Sequence, residues 1–229
     1  MSSIHLSGRE VRGIQSGAQT LLRRVAKLNR YVMDPGGPEG AAKEALRATA
    51  IEAALKISPF QVEGRLLGKE KWAPSCSEGV YRIVYAADGR WGSPSPGGNI
   101  VYRGWTAGIT DKAFPDWALR SGEWVGRKYF QAFRSSAHMP KWAARITLGI
   151  TAVSVKHVQD ITDDEIRAEG FLEEAADVHQ RATAGHYGMP LLRYLYASEW
   201  DRSHRHARWD ENPWTYGVRF ELLHNGGVL

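Results

Sequence analysis

The chain has 229 residues, 43% hydrophobic and 24% charged, enough to bury a full core and too apolar for wholesale disorder. Thirty Lys and Arg against 25 Asp and Glu give a formal charge of +5, a balance that favours a polyanionic partner. A lone cysteine, Cys76, excludes an intramolecular disulfide and a multi-cysteine zinc site, and fits a reducing cytoplasm. Residues 1–12 lack a signal-type apolar run, and no stretch approaches the roughly 18 apolar residues of a membrane helix. The expectation is a cytoplasmic protein without membrane attachment.

In chain order, apolar positions Val11, Ile14, Ala18, Leu21, Leu22 and Val25 recur at helical spacing and predict a first helix over 11–26. Arg23 and Arg24 near its end suit the helix dipole. Pro and Gly in 33–40 break the chain, and 39–57, rich in Ala, Leu, Glu and Lys, predicts a second helix that Ser58-Pro59 stops. The period then changes to two, predicting strands over 65–71 and 79–87, a loop over 91–99 and a short strand over 100–105. Residues 109–131 are aromatic and irregular and carry no clear pattern. The β-branched alternation of 144–158 predicts a long strand. Thr162 and Glu165 then have capping-box spacing for a helix start. Helices are expected within 162–184 and 190–203, and a last strand over 214–223. Strands enclosed by helices imply an α+β class and a small β-barrel. One domain over 1–229 is expected, with helical insertions at about 34–58 and 171–205.

Five blocks, in order, carry a resemblance. They are GIQSGAQTLLRRV (13–25), GRLLGKEKWAP (64–74), RSSAHMPKWAARITLGI (134–150), VQDITDDEIRAEGF (158–171) and RWDENPWTYGVRFE (208–221). Together they resemble the ASCH-domain proteins of the PUA-like superfamily, often encoded by phages. The resemblance implies a PUA-like barrel that holds a nucleotide or nucleic acid, in the host cytoplasm if phage-encoded. Some ASCH proteins deacylate N4-acetylcytidine with a Lys, a Thr and a Glu. That Glu aligns with Glu169, but Gln19 and Leu22 stand at the Lys and Thr positions, and Thr20 aligns with a neighbouring Thr of the motif. Gln lacks a titratable amine and Leu lacks a hydroxyl, so neither supplies a nucleophile or base.

Read from the residues, 134–142 packs two cations, two hydroxyls, an imidazole and an indole into nine positions. Arg134, Ser136 and Lys141 suit phosphate oxygens, His138 suits proton transfer, and Trp142 offers a face to a base. Alternation along 69–72 puts Glu70 and Trp72 on one face, an acid and an aromatic for a base, with Lys69 and Lys71 opposite. Arg24 aligns with a motif arginine and is the preferred phosphate contact on the first block. The nine tryptophans serve either as core or as stacking platforms. His204 and His206 lie in a basic stretch without the acids or cysteines that complete a metal set, so no metal and no cofactor are expected.

The leading expectation is therefore binding of RNA or a modified nucleotide. Glu169 and the cationic turn would face one hollow with an indole at its wall. The alternatives are a hydrolase on a modified nucleoside with Glu169 and His138 orienting water, a ribonuclease using His138, and a phage accessory module binding another protein through its tryptophans. The sequence leaves oligomeric state open.

Overall fold

The computed structural model describes residues 2–28, 41–77, 80–87, 107–110, 122–125, 128–131, 133–186 and 188–225. The predicted breaker at 33–40, loop at 91–99 and strand at 100–105 lie outside them. The class is α+β, with ten strands and five α-helices among the described residues. In chain order these are β1 (Ser2–His5), α1 (Gly8–Gln15), β2 (Leu21–Val25), α2 (Ala41–Lys56), β3 (Arg65–Lys69), β4 (Trp72–Ser77) and β5 (Val80–Tyr85). Then come β6 (Ala107–Thr110), β7 (Gly122–Val125), β8 (Lys128–Gln131), β9 (Ile146–His157), α3 (Asp163–Ala168), α4 (Val178–His186), α5 (Leu191–Ser203) and β10 (Trp214–Asn225).

The strands form a mixed five-stranded sheet, β1-β3-β9-β10-β2, and an antiparallel one, β6-β5-β4-β8-β7. The first sheet is open, with β1 and β2 at its edges, where a closed barrel was expected. β1 runs parallel to β3, pairing His5 with Lys69, and β3 runs antiparallel to β9. β2 runs antiparallel to β10, pairing Arg23 with Gly217.

The chain divides into two compact units, one of 1–16, 65–149 and 222–229, the other of 17–64 and 150–221. In the first, Trp72, Ile83, Tyr85, Met139 and Ala143 form a buried cluster on which Trp142 packs. In the second, Val158, Ile161, Ile166, Leu192, Tyr196 and Trp200 do so, covered by Val25, Phe171 and Trp209.

The predicted helix over 11–26 is a helix followed by a strand. Ser7 and Glu10 make a reciprocal capping box that starts α1 at Gly8, and Gly17 turns the chain with φ +75°. Residues 21–25 then pair with β10, and Leu21 and Leu22 are buried although they point to opposite faces. A strand covered on both faces has no alternating pattern, so its apolar run imitates helical spacing. The expected helix start at Thr162 is present with its capping box. It ends sooner than predicted, because Glu169 caps α3 and Gly170 follows with φ +81°. The unassigned 109–131 contributes to strands β6, β7 and β8. No helix among the described residues is long and apolar enough to cross a membrane.

Candidate functional site

In the first unit, residues 133–145 fold as two consecutive 3-10 turns, Ser136–His138 and Lys141–Ala143, leading into β9. Ser135 caps the first, accepting from the Ala137 amide, and Pro140 precedes the second with φ −60°. The segment is held from beneath. Arg134 and Trp72 exchange backbone hydrogen bonds of 2.7 and 3.3 Å, and the Glu70 amide donates to Met139 Sδ at 3.4 Å. Tyr85 Oη donates to the Ala143 carbonyl at 2.9 Å. Arg145 donates from Nε and Nη2 to the two oxygens of Glu70, at 2.8 and 3.0 Å, and its guanidinium lies 4.0 Å from the Tyr85 ring centroid.

Burial sorts the predicted residues of this unit into two groups. Trp72 is 0% exposed and Glu70 1%. Both were expected on one face that would line a pocket for a base, and both are instead buried. An indole without exposed surface offers no stacking platform in this conformation, and both Glu70 oxygens are occupied by Arg145. Met139 and Ala143 are buried with them. His138 and Lys141 are exposed, and Arg134, Ser136 and Trp142 are half-exposed. Lys71 is exposed and Lys69 half-exposed. Ser136 Oγ lies 3.1 Å from Nδ1 of His5, a contact across 131 residues that no local pattern signalled.

In the second unit a buried polar network surrounds Arg23. Its Nε donates to Glu169 Oε1 at 2.7 Å and its Nη1 to Thr215 Oγ1 at 3.3 Å, while Nη2 lies 3.7 Å from Glu165 Oε2. Tyr196 Oη donates to Glu169 Oε2 at 2.9 Å, and Thr215 Oγ1 donates to the Lys156 carbonyl. Lys156 Nζ donates to both oxygens of Glu165, whose carboxylate also accepts from the Thr162 amide. Burial works to lower the Arg23 pKa, but Glu169, Tyr196 and Glu165 outweigh it and hold it above its usual value. Burial, reinforced by Glu169, pushes the Tyr196 phenol well above its ordinary range. Burial raises Glu165, but the hydrogen bonds from Lys156 and the Thr162 backbone, with the charges of Arg23 and Lys156, bring it below the ordinary carboxylate value.

Glu169, the residue aligned with a catalytic acid, is thus 5% exposed, with one oxygen bound to a guanidinium and the other to a phenol. That is the arrangement of a structural ion pair. Gln19, at the lysine position, is buried, donates to the Leu21 carbonyl at 3.0 Å, and keeps its Oε1 without a hydrogen-bond partner among the described residues. Leu22 is fully buried. Arg24 is half-exposed and donates to the Arg23 carbonyl at 2.7 Å. Glu169 and Arg24 belong to the second unit and the 133–145 turn to the first.

His5 and Arg145 are the site residues that sequence reasoning missed. Arg145 had a readable signal, a cation directly before a β-branched strand where burial demands a counter-charge. Comparison with protein-family models, curated proteins and solved structures finds no match to this chain.

Proposed function

We propose that this chain is a nucleic-acid-binding module of the PUA-like ASCH type, with the 133–145 turn as its contact surface and single-stranded RNA as its ligand. The observation that carries the reading is the separation of roles within the turn. Within it Met139, Ala143, Ala144 and Arg145 are buried, while Arg134, Ser136, His138 and Lys141 reach solvent. No acidic residue occurs in 133–145. The end of β3 and the link to β4 add Lys69 and Lys71, and the one acid there, Glu70, is neutralised by Arg145. Hydroxyl, imidazole and cationic donors on a rigid base suit phosphate oxygens, and the half-exposed Trp142 supplies the indole for a base. The open sheet β1-β3-β9-β10-β2 would be this chain's counterpart of the PUA-like barrel, and the lone Cys76 fits a cytoplasmic setting.

The test is fluorescence anisotropy with labelled single-stranded RNA, titrated from about 50 to about 200 mM salt. Arg134→Glu and Lys141→Glu are expected to weaken binding and to reduce the magnitude of the log–log salt slope by about one each. An unchanged slope in both variants would sink the proposal.

A further inference from the structure

On the reading that the turn binds phosphate, we infer that His5, at the end of β1, belongs to the same site and sets the direction of the Ser136 hydroxyl. The contact is side chain to side chain, His5 Nδ1 to Ser136 Oγ at 3.1 Å, and the His5 side chain is exposed. A serine hydroxyl has one proton and two lone pairs, and His5 engages one of these three positions. If the bare nitrogen faces the serine, the hydroxyl proton is spent on the imidazole and only lone pairs face outward. A phosphate oxygen only accepts, so such a serine repels it.

If instead Nδ1 carries the proton, it donates to Oγ, and the serine proton is released to the incoming oxyanion. Phosphate bound at Ser136 therefore selects the Nδ1–H form of His5, as neutral tautomer or as imidazolium. His5 acts through Ser136 and is a positioning residue. The cationic groups around the pair favour an incoming oxyanion. Lys69 is the register partner of His5 on β3, and His138 and Arg134 flank Ser136 on the turn. Glu70, in the link following β3, is held by Arg145, and Glu10 of α1 is tied to the Ser7 amide.

Four variants test this by RNA anisotropy, with thermal unfolding confirming that each is folded: His5→Phe, Ser136→Ala, the double variant, and His5→Asn, whose amide donor takes the Nδ1 place. Each single loss is expected to weaken binding about fivefold. The double variant should be no weaker than the worse single, because the two side chains form one unit. His5→Asn should recover most of the affinity. In 15N-imidazole spectra, assigned by the His5→Asn spectrum, the His5 Nδ1 signal should move to the protonated position on saturation with RNA.

Additive losses, or an Nδ1 that stays bare with RNA bound, overturn the inference. If Arg134→Glu weakens binding while His5→Phe and Ser136→Ala do not, the inference falls and the RNA-binding reading stands. Absence of any RNA binding by the wild type removes both.

Discussion

Glu70 and Arg145 meet through two parallel hydrogen bonds, 2.8 and 3.0 Å, beneath the 3-10 turns that carry the candidate phosphate ligands. Both side chains are almost fully buried, and the guanidinium also lies on the face of Tyr85. Bidentate geometry fixes Arg145 at the entrance to β9, while the Glu70 backbone amide contacts Met139 at the centre of the turn. A single residue thus ties down the centre and the C-terminal end of the presented segment.

Removing one partner leaves the other charged and buried. Glu70→Leu or Arg145→Met should each destabilise the fold by about 3–5 kcal/mol. The double variant should recover part of that loss, because replacing both charges with apolar groups removes the stranded ion. Urea unfolding of the three variants measures it, and additive losses would show that the pair is not coupled.

Trp72 should behave as core. Trp72→Phe is expected to cost about 1–3 kcal/mol in urea unfolding, through lost packing among Ile83, Tyr85 and Met139. RNA affinity of the folded variant should stay within about twofold of wild type, since the link from Trp72 to Arg134 is made by backbone atoms. A large affinity loss in a folded Trp72→Phe would return Trp72 to the binding surface.

The network around Arg23 has a pH signature with two limbs. The Tyr196 pKa is raised in the folded state, so its contribution is complete below the ordinary phenol value of 10.0 and is lost as pH rises beyond it towards the folded value. The Glu165 pKa is lowered, so its contribution is complete above the ordinary 4.5 and is lost as pH falls through the folded value. Tyr196→Phe should flatten the alkaline limb while costing about 1.5–3 kcal/mol near neutrality, where the bond to Glu169 is missed. Lys156→Met should flatten the acid limb. Denaturation midpoints across the pH range decide both.

Gly217 gives the Arg23 guanidinium its place on β10. A Cβ at 217 would come within 2.6 Å of Ser154 Oγ and 3.3 Å of Arg23 Nη1. Gly217→Ala should therefore destabilise by about 1–3 kcal/mol. Ser154→Ala, which removes the closer atom, should restore part of that loss in the double variant. No rescue would place the strain at Arg23 instead.

Most elements were legible from local patterns, because their causes are local. Helix α2 rests on helix-forming residues, the start of α3 on the Thr162–Glu165 box, and β9 on β-branched alternation. The error over 11–26 has the opposite origin. Whether Leu21, Leu22 and Val25 form a helix or a strand was decided by pairing with β10, some 190 residues away.

By itself the sequence determined the α+β class, the basic balance and the residue chemistry of the 134–142 segment. Only the tertiary structure decided which charges are presented and which are cancelled. Arg145 turned Glu70 into scaffold, Arg23 and Tyr196 occupied Glu169, and His5 arrived beside Ser136 from the other end of the unit. The physical reason is that a buried charge must find a partner, and partners separated by 75 to 146 residues leave no periodicity to read.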